Sequence, residues 1–129
     1  MVDRPMRIFK NKWFAKFAKK EKISGEKLVQ AVKDAEAGKI DANYGGGVIK
    51  QRIAREGSGK SGGYRSIIFY LRGSKAFFVY GFSKKNQENI SNDEEVYFKR
   101  LAKLTLAMSD EDIAALLKEG TYEELENDG

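Results

Sequence analysis

The chain has 129 residues, 41% of them hydrophobic and 15 aromatic, which suits one folded domain with its own core. It contains no cysteine and no histidine, which excludes disulfides, thiolate metal sites and the commonest general base. The net charge of +5 is unevenly spread: residues 109–129 hold eight acids and one base, while residues 1–108 carry a net +12. So basic a body fits a polyanion partner, nucleic acid first, or simply a soluble lysine-rich surface.

In chain order, "MRIFKN" (6–11) predicts a strand. "KWFAKFAKKEKI" (12–23) puts Trp13, Phe14, Phe17 and Ala18 on one helical stripe, with Lys12, Lys16, Lys19 and Lys20 largely on the other side. "SGEKLVQAVKDAEAG" (24–38) predicts a second helix, capped by Ser24, with Leu28, Val29, Val32 and Ala35 as its apolar stripe and Gly38 as its stop. Both helices are expected to cover a sheet. "DANYGGG" (41–47) reads as a loop, because three consecutive glycines do not hold a helix or a firm strand.

"VIKQRIA" (48–54) alternates as a strand, with Ile49 and Ile53 on one side and Lys50 and Arg52 on the other. A loop follows, then the strand "YRSIIFYLR" (64–72), a two-residue turn at Gly73-Ser74, and the strand "KAFFVYGF" (75–82). The last of these is apolar on both faces, which predicts a central place in the sheet. Ser91 with Glu94, and Ser109 with Asp112, have capping-box spacing and predict a helix from about 91 to 108 and a short one after it. Ile113, Leu116 and Leu117 lie on one face of the second. The predicted order is β, α, α, β, β, β, α, α, with a compositional break at 109 that separates residues 1–108 from an acidic, partly helical extension, 109–129. No apolar run has membrane-spanning length and none resembles a signal peptide, so the expectation is a cytoplasmic protein with no membrane partner.

One motif invites a false reading. "AREGSGKS" (54–61) fits a loosened phosphate-binding loop, but that loop works by leading from a strand into a helix whose amides face the phosphates. Here "GGYRSIIFYLR" follows, a poor helix start and a good strand. The stretch reads better as a basic hairpin loop in which Lys60 can approach a phosphate backbone.

The segments "KQRIAREGSGKSGGYR" and "FFVYGFSKKNQENIS", in that order and spacing, resemble the RelE/HigB family of bacterial toxins, the toxin halves of type II toxin–antitoxin pairs. The resemblance covers about residues 6–108. It implies an α+β, RelE-like fold: a small antiparallel sheet with two N-terminal helices, a C-terminal helix, and here a short extra helix. It also implies an endoribonuclease that cuts mRNA on the translating ribosome and is held by a cognate antitoxin, often a helix-turn-helix DNA-binding protein. The positions matching the family's basic sheet face are Lys50, Arg52, Arg65 and Lys84 or Lys85. The tyrosine or histidine that the family often carries near its C-terminal helix has no clear counterpart. Tyr97 is nearest, and its spacing fits a core residue beside Leu101 and Leu104 better.

Cleavage of RNA through its own 2′-hydroxyl needs a base, cations at the phosphorus oxygens and an acid for the leaving 5′ oxygen. Arginine serves the second role, because its fork matches phosphate. A lysine takes a proton only where its ammonium is disfavoured, and neighbouring cations do this by like-charge repulsion. Lys50 beside Arg52 and Arg65 is such a cluster. Lys50 is therefore the expected base, Arg65 and Arg52 the phosphate clamp, and Lys84 an acid or phosphate ligand. Lys60, Lys85, Lys16 and Lys20 are candidate RNA contacts, and for the last two a solvated outer face is the competing reading. No cofactor or metal is called for. The alternatives are a ParE-like gyrase poison and an RNA-binding module without catalysis.

Overall fold

The computed structural model describes residues 5–54, 63–85, 87 and 89–126. Strand β1 (Arg7–Asn11) runs directly into helix α1 (Lys12–Lys20). Asn11 makes the joint: its Oδ1 accepts the Phe14 N–H at 2.8 Å, and its Nδ2 donates to the Val79 carbonyl at 3.1 Å. One side chain thus caps the helix and ties it to the sheet. Helix α2 (Gly25–Glu36) begins at its Ser24 cap, as the sequence predicts.

The chain then builds β2 (Ala42–Gly45), β3 (Val48–Ile53), β4 (Tyr64–Leu71) and β5 (Lys75–Ser83). After these come α3 (Asn92–Leu106), α4 (Asp110–Glu119) and β6 (Tyr122–Leu125). Both expected capping boxes are present, at Ser91/Glu94 and Ser109/Asp112. The strands form one open sheet in the order β2-β3-β4-β5-β1-β6, mostly antiparallel, with β1 running parallel to β5. The fold is α+β, as expected, and β5 is central. Among the described residues no helix is long and apolar enough to cross a membrane.

Two strands were not expected. Residues 41–47, read as a loop, contain β2, an antiparallel edge strand on β3. Gly45, Gly46 and Gly47 all have positive φ, so the glycines make the reversal that folds β2 back rather than preventing a strand. The acidic segment likewise ends in β6, which pairs antiparallel with β1. Arg7 meets Glu124 in a bidentate pair at 2.9 Å, and Lys10 lies 3.5 Å from Glu123. Basic β1 thus pairs with the acidic tail, whose Tyr122 and Leu125 pack on the core. The β4–β5 turn also differs by one residue. Ser74 N–H bonds the Leu71 carbonyl at 3.0 Å, so Arg72 and Gly73 are the central residues, and Gly73 supplies the positive φ at the second.

The sheet is covered on both faces. α1 and α2 place Phe14, Ala18, Leu28, Ala31 and Val32 on Ile8, Ile49, Ile53, Ile68 and Phe78. On the other face Phe98 and Ala102 of α3 and Ile113 of α4 pack with Phe9, Val48, Ile67, Phe69 and Phe77. A fully buried side chain of this size contributes about 1.5–3 kcal/mol. α1 approaches β5 at Gly81, where a Cβ would stand 2.5 Å from the Phe17 ring. Trp13, expected on the core stripe of α1, is 45% exposed and stacks instead on Phe17 and Tyr80. Tyr97, expected in the core, is 58% exposed, as is its neighbour Leu104 at 69%.

Candidate functional site

The pleat of β3 sorts its side chains. Ile49, Gln51 and Ile53 are buried, with the two isoleucines against the α1/α2 layer, while Lys50 and Arg52 alternate to the opposite face and are only partly covered. Register then assembles a row across the sheet: Arg52 stands opposite Arg65, Lys50 opposite Ile67, Arg65 opposite Phe82 and Ile67 opposite Tyr80. Paired residues in an antiparallel ladder point to the same side, about 4.5–5.5 Å apart at Cα. Lys50, Arg52 and Arg65 are thus neighbours on one face, with Tyr80 and Phe82 beside them.

Coverage is greater than a bare basic surface would have. The Lys50 and Arg65 side chains are 14% and 7% exposed. What covers their charge is a carboxylate: Asp41 Oδ2 lies 3.2 Å from Arg65 Nε and 3.7 Å from Lys50 Nζ. Arg65 also donates from Nη1 to the Tyr64 carbonyl at 3.3 Å. The like-charge repulsion expected at Lys50 is therefore met by an opposite charge in contact with it.

Asp41 is itself held. Its N–H donates to Gln51 Oε1 at 2.9 Å, and Gln51 Nε2 donates to the carbonyls of Ala31 and Lys39, each at 2.9 Å. Gln51 is 3% exposed, so this is a buried polar side chain with both its ends satisfied. It connects α2, the turn after it and the start of β2 to the strand that carries Lys50 and Arg52. Sequence reading missed Asp41, because its partners are 9 and 24 positions away. The only local signal was an acid at the head of a glycine loop beside a basic strand.

Tyrosines flank the row. The Tyr44 hydroxyl donates to Asn89 Oδ1. Burial first, then the charges of Glu95 and Asp41, raises its pKa above the ordinary value. Tyr80 is raised in the same way, by burial and then by Glu94. Both hydroxyls therefore keep their protons at neutral pH and can donate rather than act as bases. The Tyr80 ring lies 4.7 Å from Trp13 and 5.8 Å from Phe98, at a cavity of about 300 Å³ that Tyr97 and Tyr122 also line.

The other candidates divide. Lys84 follows β5, its N–H bonded to the Gly63 carbonyl at 3.4 Å, which puts it at the Arg65 end of the sheet; it and Lys85 are exposed. Lys16 and Lys20 are exposed on α1, whose buried residues pack on the opposite face, so they do not join the row. Lys60 and residues 55–62 of the phosphate-loop-like motif lie outside the described residues.

The sheet thus carries helices on both faces and a row of three cations at its β3–β4 end, two of them engaged by Asp41. A family model described as the RelE toxin of the RelE / RelB toxin–antitoxin system matches residues 6–125, which takes in the acidic segment as far as Leu125. The chain belongs to the RelE toxin family, which makes it the toxin of a toxin–antitoxin system and implies a cognate antitoxin. No curated protein matches it.

Proposed function

We propose that this toxin is a ribosome-dependent mRNA endonuclease that acts in the cytoplasm and needs no metal. The observation that carries the reading is the convergence of Lys50, Arg52 and Arg65 on one sheet face in a chain of the RelE family. As a neutral amine, a form that the nearby Asp41 carboxylate opposes, Lys50 takes the proton of the substrate 2′-hydroxyl, and the freed oxygen attacks the adjacent phosphorus. Arg65 and Arg52 hold the phosphorus oxygens as charge builds on them. The bond to the 5′ oxygen breaks, and Lys84 returns a proton to that oxygen. The products are a 2′,3′-cyclic phosphate and a 5′-hydroxyl, with proton and charge balanced. The ribosome supplies a substrate already fixed in geometry. The proposed partners are mRNA, the ribosome and an antitoxin of the helix-turn-helix type.

A second reading, phosphate binding without cleavage, draws support from one observation: Lys50 and Arg65 are both already engaged by Asp41. The test is mRNA cleavage in a purified translation reaction with wild type, Lys50→Ala and Arg65→Ala. Codon-positioned cuts that disappear in Lys50→Ala, while RNA binding weakens only modestly, are the expected result. Intact mRNA with folded wild type would overturn the nuclease reading, and a supercoiling assay would then examine gyrase.

A further inference from the structure

We infer that Asp41 is a positioning residue of the cationic site, fixing Arg65 and Lys50 relative to each other so that the Nη side of Arg65 remains for an RNA phosphodiester. The inference rests on the nuclease reading above. A guanidinium has five N–H donors. In Arg65 the Nε atom lies 3.2 Å from Asp41 Oδ2 as an ion pair, and Nη1 donates to the Tyr64 carbonyl at 3.3 Å. Among the described residues Nη2 makes no hydrogen bond, and an end-on contact to phosphate uses that side of the guanidinium. The same Asp41 oxygen lies near Lys50 Nζ, so one atom sets the separation between the proposed clamp and the proposed base.

Three features separate this carboxylate from an ordinary surface acid. Its partner Arg65 is nearly buried. Its backbone is anchored through Gln51, whose other contacts reach α2 and Lys39. Its field also reaches Tyr44, on the same strand pair. A carboxylate on a face meant for phosphate works against binding by simple repulsion. Its effects on binding and on turnover therefore carry opposite signs, and no purely structural role has that signature.

The experiment compares wild type, Asp41→Asn and Asp41→Glu by three measurements: thermal melting, affinity for a short single-stranded RNA blocked by 2′-O-methyl groups, and mRNA cleavage rate on the ribosome. Asp41→Asn should bind the blocked RNA as tightly as wild type or up to a few-fold more tightly, yet cut about 10-fold or more slowly, since small misplacements of reacting groups cost up to about 100-fold. Asp41→Glu should regain part of that rate. Binding and cleavage that both rise would make Asp41 an internal competitor. Both falling together with the melting temperature would make it purely structural, and an unchanged rate would make it neither; each of these overturns the proposal. A wild type that leaves mRNA intact would instead overturn the nuclease reading on which it rests.

Discussion

Arg52 and Arg65 stand directly opposite each other on adjacent antiparallel strands, on the same face of the sheet. Like charges so placed repel, and under the proposed function an RNA phosphate would bridge them. Arg52→Gln should weaken binding of blocked single-stranded RNA to a similar degree whatever its sequence. It should also lower the slope of log affinity against log salt by about 0.7, the release of one counterion. A titration series across salt concentrations measures both, and an unchanged slope would remove Arg52 from the interface.

Gln51 is worth more than its small size suggests. Gln51→Leu keeps a buried side chain but strips partners from the Asp41 N–H and from the Ala31 and Lys39 carbonyls. The cost should be about 1–3 kcal/mol, readable by urea denaturation. Because the change also frees Asp41, cleavage should fall further than the loss of folded protein accounts for.

Gly81 marks a close approach rather than a turn. Gly81→Ala would set a methyl group 2.5 Å from the Phe17 ring, which is held among Trp13, Phe14 and Tyr64. The ring must shift or α1 must lift, at about 1–3 kcal/mol, the usual range for an overpacked core. Melting temperature tests this, and Phe17→Leu in the same chain should recover part of the loss.

Alkaline pH should expose another tie. Burial, and then its hydrogen bond to Glu36, raises the Tyr70 hydroxyl well above its ordinary value of 10.0. The unfolded chain loses that proton near the ordinary value while the folded chain keeps it. The stability it contributes is therefore complete below about pH 10 and is lost as pH rises through the raised value. Denaturation midpoints at neutral and alkaline pH should fall more steeply for wild type than for Tyr70→Phe, which has no proton to lose.

The parts legible in the sequence were those that local chemistry decides. Ser91 with Glu94, and Ser109 with Asp112, are short-range devices and mark their helices. The alternation of Ile49, Lys50, Arg52 and Ile53 gave the facing of β3, and so the neighbours of Arg52. The β2 and β6 strands were illegible because each is four residues long and exists by pairing at a sheet edge, not by its own pattern. Trp13 and Tyr97 sat on expected apolar stripes, yet periodicity says nothing of where a covering layer ends. Asp41 was hidden because its ion pair spans 24 residues, and the one local signal, an acid at the head of a glycine loop, does not name its partner.

The place of β1 has a consequence for the order in which the protein can be made. It lies between β5 and β6, and both of its partners are translated after it. The first strand must therefore wait, and one of its edges stays open until the acidic strand that closes it has been synthesised. Open strand edges invite pairing with other chains. The six-stranded sheet is complete only when Glu123 and Glu124 arrive to meet Lys10 and Arg7.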